Sequence, residues 1–348
     1  MTQKTLFYVS IDGQDVSTIL GQAVTGITIS DQTGESAGTA SLDIDDREAQ
    51  IGLPKIGGYC DIGMMFFDAG IPTPTVIFSG EIDSVLSTGD RGGGMGLSIG
   101  AKTATATKTK LKEQFEEHED DTTFGEVARK WGKMCKLDVL VHKDLENIPK
   151  RHWSMNNESY PAWAERMKKQ FGAVFKIEGT KAGFVPKNAG VTATGKPLTP
   201  IFATRPGNVI SWSLKPLSGR PQHKKIRTRR FDIKTAKWVE KLVDVSYETE
   251  AEAEMTTRFT ELTDDDAERR SKSKEKDTDS DRGGGTIEMD AEPNVQCEAP
   301  CFASGLRPGV DGKYKVDGWT HSYNRGGGWT TSVTVAQPGE GTGKDNRA

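Results

Sequence analysis

Ser41-Leu42-Asp43-Ile44-Asp45 alternates polar and apolar residues without a break. A period of two puts Leu42 and Ile44 on one face of a strand and the polar residues on the other. Upstream, Phe7-Tyr8-Val9-Ser10-Ile11 runs into Asp12-Gly13, a hairpin-type turn, and Val24, Ile27 and Ile29 follow. Downstream, Pro54 and Gly57-Gly58 break the chain before Tyr59-Cys60-Asp61-Ile62-Gly63-Met64. Val76-Ile77-Phe78, Ile82 and Val85 come next, and Leu97-Ser98-Ile99 lies beyond Gly92-Gly93-Gly94. Short strands at this spacing predict a β-barrel-like module over residues 1–110.

The pattern changes near residue 111. Thr123-Phe124-Gly125-Glu126 is a capping box, with Phe124, Val127, Ala128, Trp131 and Cys135 on one helical face behind it. A strand is predicted at Leu137–Val141. Ser159 signals a second helix, with Pro161 in its first turn and Gly172 as its stop. Tyr160, Trp163, Ala164, Met167 and Phe171 form the buried stripe, and Ala173–Ile177 reads as a strand. Residues 111–190 therefore read as a small α/β unit inserted between β-rich regions.

The β pattern returns at Val209–Leu214, Phe231–Ile233 and Lys237–Val245, then at Gly312–Val316, Trp319–Tyr323 and Trp329–Val335. Residues 191–338 are expected to be a second β-barrel-like module with a helical and charged excursion at about 246–285. Residues 215–241 hold ten Lys/Arg against two acids, and residues 246–290 hold fifteen Asp/Glu against seven Lys/Arg. These opposed blocks are expected to meet between neighbouring subunits. Ala251, Met255, Phe259 and Leu262 suggest a helical stripe. Lys272–Gly285 reads as helix end and exposed linker, and 339–348 as a mobile tail. The fold class expected is a β-rich α+β protein: two antiparallel β-barrel-like modules with an inserted small α/β unit.

Composition narrows the function. Net charge is −4, against the basic balance of a general nucleic-acid binder. Low aromatic content (7%) argues further against an oligonucleotide-binding barrel, which needs stacking platforms. No apolar run reaches the ~20 residues of a membrane helix, and Met1–Leu6 carries no signal pattern, so a soluble protein made in a cytoplasm is expected. Four cysteines are too few for a disulfide framework. Cys60 and Cys135 read as core, and Cys297 and Cys301 as residues on or near a strand rather than half of a zinc set.

The segments that look chemical fail on inspection. Gly190–Lys196 imitates a P-loop, but Pro197 stands where the magnesium-binding hydroxyl belongs. Asp277, Asp279, Asp281 and Glu288 fall at positions one, three, five and twelve of a calcium loop, but Arg282 takes the place of the turn glycine. His118 sits in the acidic run Glu116–Asp120, read as a solvated loop. No nucleophile–base pairing has a recognisable context. The expectation is no catalytic, cofactor-binding or metal-binding residue, and no cofactor.

The order of elements resembles the late control gene D protein family, the tail hub proteins of contractile phages and related particles. Tyr8–Ile44 is similar to the family's opening, and Phe78-Ser79-Gly80-Glu81-Ile82-Asp83-Ser84-Val85 to its F-x-G-x-I/V-x-x-V strand. Asn157–Trp163 leading to Phe171-Gly172-Ala173-Val174-Phe175 resembles the hub insert. The ending, Gly312-Lys313-Tyr314-Lys315-Val316, His321 and Gly326-Gly327-Gly328-Trp329, is the most specific likeness. The resemblance implies a non-enzymatic baseplate hub, a homotrimer in the virion tail assembled in the host cytoplasm. It would join the sixfold tail tube and baseplate proteins to the threefold central spike, with no membrane and no specific nucleic acid as partner. A trimer meets sixfold symmetry if each subunit presents two similar modules, although Val24–Ile29 and Val209–Leu214 share only an alternating pattern. The competing function is a tail-associated cell-wall-degrading enzyme.

Overall fold

The computed structural model describes residues 5–66, 74–92, 94–218, 222–232, 235–247, 249, 251–261, 263–345 and 347. Gly93, Ile233 and Leu262 lie outside them. The first module contains β1 (Thr5–Ile11), β2 (Gln14–Asp15), the one-turn helix α1 (Ser17–Leu20), β3 (Val24–Gln32), β4 (Thr39–Asp45), β5 (Tyr59–Phe66), β6 (Pro74–Asp90) and β7 (Gly94–Lys102). Its strands pair antiparallel in the order β3-β4-β7-β6-β5-β1. The alternation at Ser41–Asp45 does what its period requires: Leu42 and Ile44 are buried with Val9, Ile27, Ile29, Ile62 and Ile99.

The α/β unit comprises β8 (Gln114–Thr123), α2 (Phe124–Met134), β9 (Asp138–Val141), α3 (Lys143–Glu146), β10 (Pro149–Ser159), α4 (Tyr160–Phe171), β11 (Ala173–Glu178) and β12 (Lys181–Pro186). The capping box at Thr123 and Glu126 forms, Ser159 caps α4, and Gly172 ends it in the left-handed conformation at φ 60°. Trp131, Trp153, Tyr160, Trp163, Phe175 and Phe184 fill its separate core. Each large apolar side chain buried there contributes roughly 1.5–3 kcal/mol.

The remaining elements are β13 (Ile201–Thr204), β14 (Val209–Lys215), β15 (Lys225–Asp232), β16 (Lys237–Asp244), β17 (Glu254–Glu261), α5 (Asp264–Ser280), β18 (Gly284–Asp290), β19 (Pro300–Ser304), β20 (Gly312–Asn324) and β21 (Gly328–Ala336). The second module runs β14-β18-β21-β20-β19-β13 around a core of Ile201, Ile287, Met289, Cys301, Tyr314 and Val333. β15, β16 and β17 form a small sheet of their own, inserted between β14 and β18. Tight packing explains two glycines of β18. Gly284 and Gly285 have φ 149° and 148°, and a Cβ there would stand 2.1 Å from the Val335 carbonyl oxygen and 2.0 Å from that of Ser213.

The two modules share one plan. Taken in chain order, the six main strands of each are arranged second, third, sixth, fifth, fourth, first across the sheet. The registers agree as well. Glu81 faces Lys102 as Lys315 faces Ala336. Ile82 exchanges backbone hydrogen bonds with Gly57 and Gly58 (2.9 and 2.8 Å), as Val316 does with Glu298 and Ala299 (2.8 and 2.9 Å). Both long strands bulge at the next residue, Asp83 and Asp317. β3 bulges between Val24 and Gly26, and β14 between Val209 and Ser211. One difference stands: β1 runs antiparallel to β5, whereas β13 runs parallel to β19.

The β-rich fold class holds, and four local expectations are corrected. Glu116–Asp120 is not a loop but part of β8, because it pairs with β10. Residues 254–261 are not helical: they form β17, drawn into strand by parallel pairing with β15, and Ala251 lies outside it. Lys272–Gly285 is not a linker, since α5 continues to Ser280. Its packed side is made of hydroxyl residues, with Ser271, Ser273, Thr278 and Ser280 buried, so an apolar pattern is missing although the face is covered. Finally, the tail folds back: Lys313 donates to the Glu340 carbonyl (3.0 Å) and Gly343 to that of Gly309 (2.8 Å). Among the described residues no helix is long and apolar enough to cross a membrane.

Candidate functional site

The residues that looked chemical are dispersed. Asp277 bonds Lys187 (2.8 Å) and Lys274 (3.3 Å). Burial raises its carboxyl pKa, but hydrogen bonds and charge from the two lysines outweigh this and leave it lowered. Asp279 is held by Arg282 (2.8 Å) and Gln337 (2.6 Å). Glu288 lies on β18 and accepts from the Ser211 hydroxyl at 3.0 Å. The four carboxylates of the calcium pattern therefore spread along a helix end and a strand. Among the described residues no group of three or more His, Cys, Asp or Glu could hold a metal ion.

Gly190–Lys196 forms a tight turn rather than a phosphate loop. Thr192 N bonds the Lys196 carbonyl (2.8 Å), Lys196 N bonds the Thr192 hydroxyl (3.1 Å), and Val191 bridges to Pro197. No helix follows. His118 stacks on His152 at 5.4 Å, and His152 contacts Asp120 at 2.7 Å. Cys297 lies 3.5 Å from the Asp31 carboxylate, and Cys301 is buried on β19.

The opposed charge blocks meet inside the chain. Arg227 pairs with Glu254 (2.5 Å), Arg230 with Asp264 (2.5 Å), and Lys241 with Glu268 (2.7 Å). This corrects the expectation that they meet between subunits. β15 carries the basic block and lies against β17 and α5, which carry the acidic one. Ile226 and Thr228 face inward, and Thr228 bonds the Ser271 hydroxyl at 2.6 Å.

The feature left with a functional geometry is the junction between the modules. β3 pairs antiparallel with β20, from Gly26 opposite Asn324 to Gln32 opposite Gly318. Tyr323 packs edge-on against Phe7 at 5.3 Å and lies 5.3 Å from Trp329. Trp329 Nε1 donates to the Leu6 carbonyl (3.1 Å), and Arg325 Nε to that of Val24 (3.2 Å). The junction makes one thirteen-stranded sheet of the two modules. The sequence carries a trace of the duplication behind it. Asp90-Arg91-Gly92-Gly93-Gly94 and Asn324-Arg325-Gly326-Gly327-Gly328 are the equivalent hairpin turns and nearly the same pentapeptide. Aligning them reveals the duplication that the Val24–Ile29 pattern alone does not.

Comparison with known proteins agrees with this architecture. No family model matches the chain. It is 25% identical over 199 residues to the probable baseplate hub protein of Escherichia phage 186, covering 57% of this chain and 49% of that protein. The match thus spans about half the length of the curated relative. The 43 kDa tail protein of prophage MuSo2 from Shewanella oneidensis has the same fold, with a TM-score of 0.71 at 14% identity over 96% of this chain and 99% of that one. The E. coli c3393 protein, a component of the type VI secretion system similar in structure to T4 tail proteins, aligns with a TM-score of 0.56 at 10% identity, over 97% and 79% of the two chains. The resemblance to tail hub proteins read from the sequence is upheld by a phage baseplate hub relative and by the fold of tail proteins.

Proposed function

We propose that this relative of phage baseplate hub proteins is itself a structural hub, resident in the baseplate of a contractile tail or related particle. It acts as a homotrimer that joins a sixfold tail tube to a threefold spike, and it catalyses no reaction. The observation that carries the reading is the duplicated module. Three chains with two modules of one plan present six equivalent units on one side while keeping threefold symmetry on the other. The runner-up, a glycan-cleaving tail enzyme, needs a carboxylic acid and a carboxylate set about a scissile bond. The acid-rich region offers carboxylates already engaged by lysines and arginines, as at Glu268 and Asp264.

Light scattering of the purified chain, alone and with the spike protein encoded beside it, tests assembly, and a trimer is expected. A peptidoglycan zymogram tests inertness. A chain that stays monomeric at high concentration with its spike present, or hydrolysis lost on a single carboxylate substitution, overturns the proposal.

A further inference from the structure

The module junction uses two strand edges, and each has an equivalent that the chain leaves without a strand. Inside the chain, β3, the second strand of module one, pairs with the far half of β20, the fifth strand of module two. The equivalent of β3 is β14. It has β18 on one side and no strand on the other among the described residues. The equivalent of the far half of β20 is the far half of β6. Beyond Glu81, that half has β7 on one side and, among the described residues, no strand on the other.

Each edge carries one bulge, but neither holds a proline and the charges of both stand at their ends. An open edge is a template for pairing, and proteins commonly protect it with bulges, prolines or charge. β14 reads Val209-Ile210-Ser211-Trp212-Ser213-Leu214-Lys215, with Ile210 52% exposed and its single charge at the end. On β6, Leu86 is 60% exposed, and Ser84 and Ser87 to Gly89 are also exposed.

We infer that β14 of one subunit pairs antiparallel with the far half of β6 in the next subunit, repeating between chains the β3–β20 junction found within each chain. The occupant of each edge is a second copy of this chain. The inference rests on the trimeric hub reading and gives it an interface. The register follows from the duplication. Tyr323 opposite Ile27 becomes Gly89 opposite Trp212, Ser322 opposite Thr28 becomes Thr88 opposite Ser213, and Thr320 opposite Ser30 becomes Leu86 opposite Lys215. Such a contact is heterologous, and it closes into a ring when three subunits complete six modules.

Cross-linking reads the register directly. Residues directly opposite in an antiparallel pair have Cα atoms about 4.5–5.5 Å apart, within disulfide range. Full-length chain carrying Thr88→Cys and Ser213→Cys, assembled with the spike protein and oxidised, should run on a non-reducing gel as dimer and trimer and no higher. Thr88→Cys with Lys215→Cys, two residues out of register, should cross-link far less. Leu86→Lys sets like charges opposite one another at each junction and should raise the concentration for half-assembly by about tenfold. A trimer by light scattering in which the Thr88/Ser213 pair does not cross-link overturns this interface and leaves the hub reading standing. Failure to form any trimer overturns the hub reading itself. A ladder running past three overturns the closed ring.

Discussion

Glu81 and Lys315 occupy equivalent positions in the two β modules, carry opposite charges, and hold opposite ends of the α/β unit. The Glu81 carboxylate accepts from Thr107 N (3.1 Å) and the Thr107 hydroxyl (2.8 Å), where the chain leaves the first module. Lys315 Nζ donates to Asn188 Oδ1 (2.7 Å) and Glu298 (2.9 Å), where the chain approaches the second. Both residues are buried. The duplicated frame thus supplies one anchor at each end of the inserted unit.

Removing one anchor should be costly. Lys315 and Glu298 form a buried pair, and loss of one partner leaves an uncompensated charge, worth about 3–5 kcal/mol. Lys315→Met should lower the urea midpoint accordingly, and adding Glu298→Gln should restore part of it. A Lys315→Met midpoint equal to the wild-type value would show that the pair carries no weight.

His321 should make the protein acid-sensitive. Burial pushes its imidazole pKa down to about 3. The ring has one polar contact on this side, between His321 Nδ1 and the Thr331 hydroxyl (3.0 Å), and that hydroxyl also accepts from Glu292 N (2.9 Å). The unfolded chain takes up a proton near pH 6.5, while the folded chain refuses it until about pH 3, so stability falls as pH drops through that window. Between pH 6.5 and 5 the loss should be about 2 kcal/mol. Denaturation of His321→Asn across this range should show a flatter profile, and an unchanged slope would count against the assignment.

Trp131 and Trp163 are fully buried and meet edge to face at 5.1 Å. Either replacement by alanine should cost roughly 3–5 kcal/mol. Thermal midpoints that stay at the wild-type value in both variants would refute the core placement.

The native thiols should be inert. Burial raises Cys60 and Cys301 to about 12 and Cys135 to about 11, and pushes Cys297 up strongly. Ellman's reagent at pH 8 should label the folded protein slowly and all four thiols once it is unfolded in guanidinium. Rapid stoichiometric labelling of folded protein would contradict this.

Calcium should not bind tightly at Asp277–Glu288, because Asp277 and Asp279 are already held by Lys187 and Arg282. Calorimetry should give no micromolar isotherm. Such an isotherm abolished by Glu288→Ala would reverse the conclusion.

Local rules fixed much of this protein from sequence alone. The period of two at Ser41–Asp45, the capping box at Thr123 and Glu126, and the helical stripe from Tyr160 to Phe171 each specify an element through contacts a few residues apart. The duplication is legible only as a pair of Arg-Gly-Gly-Gly segments, since divergent side chains satisfy the same backbone register. Tertiary structure decided the rest. Residues 254–261 became strand because β15 offered an edge, and residues 272–280 became packed helix because buried hydroxyls found carbonyl partners such as that of Lys169 (2.9 Å from Ser273). The charge blocks pair within the chain for the same reason: pairings such as Arg230 with Asp264 depend on which strand lies beside which helix, and no local pattern encodes that.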